Sequence, residues 1–281
     1  TIIVGSVLAL VLAIVRLRRN GDPTNLVLWF GATAYLFIIE PPLYFPAAFG
    51  IEEQVDTMFA HNVFTVDFMW GRLPLYIVAI YPLMATLAFE IVRMLGVFRR
   101  YGPLLGAVCV GFVHHAFYEI FDHLGPQLRW WEWSTSNPIN QPMFDAVPLP
   151  SVVVFAALWP MSLAFCVQYF VGRHVDAGKH FSGLQLVWRT IVIGLLAMAA
   201  PLVWAAVVSV TVCAVASAAA TTSSETGAAV GPENPAASAT AGPVANQSVP
   251  ERFGDFDFQK QTEVLMRLEK KLGKDSAASV L

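Results

Sequence analysis

Apolar residues run in long blocks through the first 216 positions, and the charges collect in the short connectors between them. Six blocks stand out, over roughly 1–15, 26–49, 73–92, 103–122, 151–172 and 190–216. A helix needs about 20 predominantly apolar residues to cross a bilayer core. All six blocks meet that length or come near it, and the first is short, as a clipped span would be. None shows the apolar–polar alternation of a barrel strand, and a helix satisfies its own backbone groups in lipid. The pattern predicts an all-α, polytopic transmembrane helical bundle with about six spans, or seven if another precedes Thr1. No cleavable signal peptide is recognisable at the start.

The pattern changes after residue 217. Positions 218–250 are Ala, Ser, Thr, Gly and Pro with almost no large apolar residue. Such a stretch cannot bury enough surface to offset its ordering entropy, so it reads as a disordered linker. Residues 251–281 follow as a short amphipathic helix and tail, with Phe258, Leu265, Leu268 and Leu272 near one face. That helix is expected to be solvated, or to dock a protein partner or a second copy of the chain.

Composition agrees with a membrane domain. The chain is 56% hydrophobic and 13% charged, against about a quarter charged in a soluble domain. A net charge of −3 gives no reason to expect nucleic acid as a partner; membrane lipids are the expected surroundings. Cys109, Cys166 and Cys213 lie singly within apolar blocks and read as small buried hydrophobes. Basic residues set an orientation. Arg16, Arg18, Arg19, Arg93, Arg99, Arg100, Arg173, Lys179 and Arg189 fall in alternate connectors, and only Arg72 and Arg129 fall in the others. The basic connectors are expected in the cytoplasm of a bacterial-type cell, and loops 50–72 and 123–150 outside.

Candidate chemistry concentrates at the end of the fourth block, HHAFYEIFDH over 114–123. His115, Glu119 and His123 share one helical face at i, i+4 and i+8. Asp122 flanks it, and His114 points about 100° away. Counting from Pro103, His115 lies about 18 Å along its span, and Glu40 about 21 Å along the second. Both belong to the outer half, where ionisable groups usually face a bundle interior or wet cavity. Pro41 and Pro42 are expected to kink or end the helix after Glu40. Glu90 is expected to pair locally with Arg93. In the outer loops, His61, Asp67 and Trp70 come first, then Trp130, Trp131, Trp133 and Asn140. The tryptophans suit either an interfacial belt or a stacking wall for a ligand.

These residues bound the function. No span contains lysine, which argues against a retinal Schiff base. Six histidines are too few for a membrane di-iron oxidase. A single divalent metal on Glu119 and His123 remains open; the cofactor is otherwise unknown. No phosphate-binding loop, dinucleotide fingerprint or hydrolase elbow occurs. In span number and aromatic–acid character the chain resembles small integral-membrane terpenoid cyclases and carotenoid hydratases, without a shared motif and so without transferred residue roles. The expected function is acid–base work on a lipid or isoprenoid, with Glu119, His115, Glu40 and Asp122 catalytic. His61, Asp67, Trp70, Trp130, Trp131, Trp133 and Asn140 would line the substrate. The alternatives are a non-enzymatic membrane scaffold or assembly subunit and a proton-coupled transporter.

Overall fold

The computed structural model describes residues 1–207 apart from 57, 63–65, 67 and 70. Asp67, Trp70, Cys213, the linker 218–250 and the amphipathic segment 251–281 therefore lie outside the described residues. The described chain is mostly helical, and five of its helices are long and apolar enough to cross a membrane. In chain order the long helices are α1 (Ile2–Asn20), α2 (Thr24–Tyr44), α3 (Leu75–Met94), α4 (Val97–Gln127), α5 (Ser151–Asp176) and α6 (Gly183–Val207).

The count differs from six because of α1. Its apolar part ends before Arg16, and 14 residues reach only about 21 Å, short of a bilayer core of about 30 Å. Arg18 and Arg19 occupy its last turn, where positive charge complements the helix dipole.

Local signals explain most boundaries. Gly102 adopts φ 81°, a left-handed conformation suited to glycine, and breaks α4 just before Pro103. The sixth helix starts at Gly183 rather than 190. Ser182 Oγ accepts from Gln185 N at 3.4 Å and Gln185 Oε1 accepts from Ser182 N at 3.0 Å, a reciprocal capping box. Arg189 thus belongs to a helix, not to a connector. Pro41 and Pro42 do not end α2 at Glu40. The helix runs on to Tyr44, and Phe45 N donates to Pro41 O at 2.9 Å.

The core forms where α3 packs between α1, α2 and α4, with α5 against α4 and α6 against α2. Trp159, Tyr35 and Phe89 are its largest fully buried side chains. The Tyr35 and Trp159 rings stack at 4.9 Å. Lipid gives helices no hydrophobic reason to associate, so close packing must hold them. At the α2–α6 contact a methyl on Gly194 would come within 2.7 Å of the Ala34 methyl. Only small residues permit that approach.

One end of the bundle is tied by charge. Arg16 on α1 forms a two-pronged ion pair with Glu90 on α3, one prong at 2.7 Å. Asn25 on α2 donates to Glu90 Oε1 at 3.0 Å and accepts from Arg93 at 3.0 Å. Arg93 also pairs with Asp22. Glu90 is therefore committed across helices, and its contact with Arg93 is the longer one at 3.8 Å. Burial alone would raise Asp22, but hydrogen bonds from Thr24 and Arg93 outweigh it and hold the carboxyl below its ordinary range.

The opposite end is covered by the loops. Strand β1 (Phe59–His61) pairs antiparallel with β2 (Trp131–Trp133), setting His61 opposite Trp131 and Phe59 opposite Trp133. The two-residue strands β3 (Met143–Phe144) and β4 (Val147–Pro148) pair in the second loop. These short strands qualify the all-α expectation without adding a layer.

Candidate active site

Helix phase divides HHAFYEIFDH into two faces. His114, Phe121, Asp122 and Gly125 are buried on the inner side of α4. His115, Glu119 and His123 lie together on another face. Glu119 Oε1 is 3.5 Å from His115 Nδ1, and Oε2 is 3.4 Å from His123 Nδ1. The two histidine side chains are 37% and 35% exposed. Asp122 therefore does not continue their stripe, and His114 is not a stray residue. Its Nδ1 is 2.7 Å from the Ala156 carbonyl, and its ring stacks with Tyr118 at 5.5 Å.

The inner face meets an irregular helix. Residues Ser151–Leu158 at the start of α5 form a π-helix. Such wide turns shift the register of side chains and are common at functional sites. This one sets Ser151 Oγ 2.5 Å from Asp122 Oδ2, to which it donates, and turns Ala156 O toward His114.

Asp122 and Glu40 line one cavity of about 40 Å³. A buried water needs about 10–15 Å³, so there is room for roughly three, or for the end of a larger molecule. Tyr81 Oη donates to Glu40 Oε1, while Glu40 Oε2 is buried with no hydrogen-bond partner among the described residues. Aromatic rings make most of the wall, among them Tyr44, Phe59, Tyr118, Phe121, Trp131 and Trp133. The indole N–H groups of Trp131 and Trp133 are also buried without a hydrogen-bond partner among the described residues. No arginine or lysine lines the cavity among the described residues.

His61 reaches this wall from β1. Its Nε2 is 2.6 Å from Tyr44 Oη and its Nδ1 is 3.1 Å from Tyr76 Oη. Burial pushes the imidazole down to about 3, so it is neutral near pH 7. An unfolded histidine titrates near 6.5. The folded state thus binds fewer protons, and its stability is full above about pH 6.5 and falls as pH drops toward 3. The cost is at most about 1.4 kcal/mol per pH unit, less because part of the ring is exposed. The melting temperature is expected to fall between pH 7 and pH 5, and more steeply than in His61→Gln. Parallel curves for the two proteins would rule out this coupling.

The expected site residues thus separate. Glu40, His61, Asp122, Trp131 and Trp133 line one cavity; His115, Glu119, His123, Trp130 and Asn140 are not among its lining residues. Trp130 packs on Phe121 and Trp131. Asn140 is a buried peg whose amide donates to Met58 O at 2.7 Å and Ser134 O at 2.8 Å. Such a residue holds the loop rather than a substrate. Glu119 and His123 are adjacent, as a metal pair would be, yet no group of three His, Cys, Asp or Glu side chains suited to a metal occurs among the described residues. The sequence reading missed Tyr44, Tyr81, Tyr118 and Ser151. Only the spacing 114, 118, 122 hinted at Tyr118, and it is the same spacing as 115, 119, 123.

Gly125 shapes the wall. A methyl there would fall 2.0–2.3 Å from three carbons of the Trp131 ring. Gly125→Ala is expected to destabilise by about 1–3 kcal/mol despite a helix-propensity gain of up to about 1 kcal/mol. It should also alter the near-ultraviolet dichroism of the tryptophans. An unchanged spectrum with raised stability would show that Trp131 is not locked against α4.

Neither a protein-family model, nor a curated protein, nor a solved structure matches the chain. The functional assignment therefore stands on the chemistry of the cavity.

Proposed function

We propose that this is a membrane-embedded acid–base enzyme of a bacterial-type cytoplasmic membrane, acting on one end of a lipid or isoprenoid. The supporting observation is the pair of buried carboxyl groups, Glu40 and Asp122, on one aromatic-walled cavity with no arginine or lysine among its described lining residues. A carboxylate buried without a counter-charge is costly. Such a group either carries a proton or faces a cation, and both states suit proton transfer.

The chemistry balances with these two groups. The Glu40 acid gives its proton to one carbon of a double bond, and the adjoining carbon takes the positive charge. Asp122, as carboxylate, removes a proton from the next carbon and restores a double bond in a new place. Water capture at the cation would instead yield an alcohol, with Asp122 accepting the water proton. Aromatic faces stabilise the cation. Glu119, His115 and His123 on the neighbouring face of α4 exchange protons between the outer interface and Asp122. The cavity's size implies that only the reacting end of the substrate enters.

A second reading is an assembly subunit whose buried polar cluster holds helices in place. It draws on the large exposed apolar residues of α6, such as Leu184, Trp188 and Val203, which a partner helix would cover in place of lipid. The amphipathic segment 251–281 would then serve docking or self-association. Mass spectrometry of lipid and terpenoid extracts separates the two. A deletion strain complemented with the full chain should differ from one complemented with Glu40→Gln. Identical profiles in the deletion and wild-type strains, with a stably co-purifying membrane protein, would favour the subunit.

A further inference from the structure

We propose that the cavity is selective for positive charge, and that it binds an organic monocation of the alkylammonium class, its apolar chain trailing toward the membrane. The inference rests on the cavity being a ligand site, as in the acid–base reading, but does not require that chemistry occurs there.

Charge balance comes first. Two carboxyl side chains, 4% and 1% exposed, share the space. Their hydroxyl partners Tyr81 and Ser151 are neutral. His61 offers no charge near pH 7, and both its nitrogens are engaged by Tyr44 and Tyr76. Arg72 donates to the Tyr44 carbonyl from an exposed position and lies over the Phe45 ring, but it is not among the residues lining the cavity. On the neighbouring face of α4, His115 and His123 flank Glu119 at 3.5 and 3.4 Å; His123 is near enough for its charge to be felt at Asp122, but it does not line the cavity. Among the described residues, no arginine or lysine lines the cavity to match negative charge inside it.

The walls then choose the kind of cation. A metal ion needs several oxygen, nitrogen or sulfur donors converging at once, and no group of three His, Cys, Asp or Glu side chains suited to that occurs among the described residues. Ring faces cannot coordinate a hard ion, but they attract an alkylated ammonium, which sheds its hydration cheaply and meets the negative face of the π system. Glu40 Oε2, buried and without a hydrogen-bond partner among the described residues, supplies the directional contact. Room for about three waters admits the head of such a cation.

The test uses the full chain in a neutral maltoside detergent and isothermal titration with hexyltrimethylammonium. Its uncharged isostere 2,2-dimethyloctane, in which carbon replaces nitrogen, serves as the comparison. Saturable one-to-one binding of the ammonium is expected, at least tenfold tighter than any signal from the isostere. Glu40→Gln should weaken it at least tenfold and Asp122→Asn severalfold. Gel filtration and near-ultraviolet dichroism confirm that each variant is folded. Should Glu40→Gln not fold, Trp133→Leu, which keeps both carboxyls, should weaken the ammonium more than the isostere. Equal, non-saturating uptake of both probes by wild type and variants would overturn the proposal, because it would reflect micelle partitioning alone. The lipid comparison fails or succeeds separately. Ammonium binding without a changed lipid profile would keep the cation site and remove the enzyme, and the converse would keep the acid and remove the cation preference.

Discussion

Glu40→Gln is expected to slow the proposed lipid conversion by about 10²–10⁴-fold, the usual contribution of a positioned general acid. Glutamine keeps the size of the side chain and can still accept from Tyr81, which holds Glu40 in place. It cannot deliver a proton. Because both the protonated acid and the amide are neutral and of one size, and only an ionised carboxylate is much costlier to bury, the variant should melt close to wild type, so lost activity would not mean lost structure. Glu119→Gln provides the contrast. Its carboxyl lies between two half-exposed histidines, outside the cavity wall. A role in proton exchange would cost under about tenfold, and the loss should grow as pH rises and free protons become scarce. Rates of product appearance in membranes carrying each variant decide the matter. Equal losses in both variants would mean that the two faces of α4 do not have separate roles.

Removing Glu90 should have the largest effect on stability. Glu90→Ala leaves Arg16 and Arg93 facing one another and Asn25 without the acceptor of its amide N–H. Breaking a buried pair on one side costs about 3–5 kcal/mol, mostly for the charge left behind. Arg16 and Arg93 keep a quarter or more of their side-chain surface exposed, which puts the expected loss near the lower figure. Replacing both partners, Arg16→Met with Glu90→Met, should recover most of the loss, because no uncompensated charge remains. Unfolding titrations with a denaturing detergent would measure this. A double variant as unstable as Glu90→Ala would show that the network acts through something other than paired charge.

The helices were legible because their cause is local. Runs of apolar residues long enough to span a bilayer, with charges at their ends, mark α2 to α6 without any knowledge of what they pack against. Where a boundary differs, a local signal sets it: the Ser182–Gln185 capping box starts α6 about two turns before the apolar block. Arg16 and Glu90 were visible as charges, but their pairing across α1 and α3, far apart in sequence, was not.

The site divides along the same line. Counting along the chain is enough to place acids, histidines and aromatics at corresponding ends of the second and fourth helices, since composition and depth along a helix need nothing more. It did not determine which of two interleaved stripes on α4 faces inward. His114 and Asp122 on one stripe, and His115 and Glu119 on the other, obey identical spacing. The rotation of α4 is decided by what it packs against: the π-turns that bring Ser151 and Ala156 to it, and the indole of Trp131 that fits over Gly125. Ser151 and Ala156 are distant from α4 along the chain, and Trp131, though near in sequence, is held by its strand pairing with His61, so tertiary packing selects the face, and with it the pair of acids that shares the cavity.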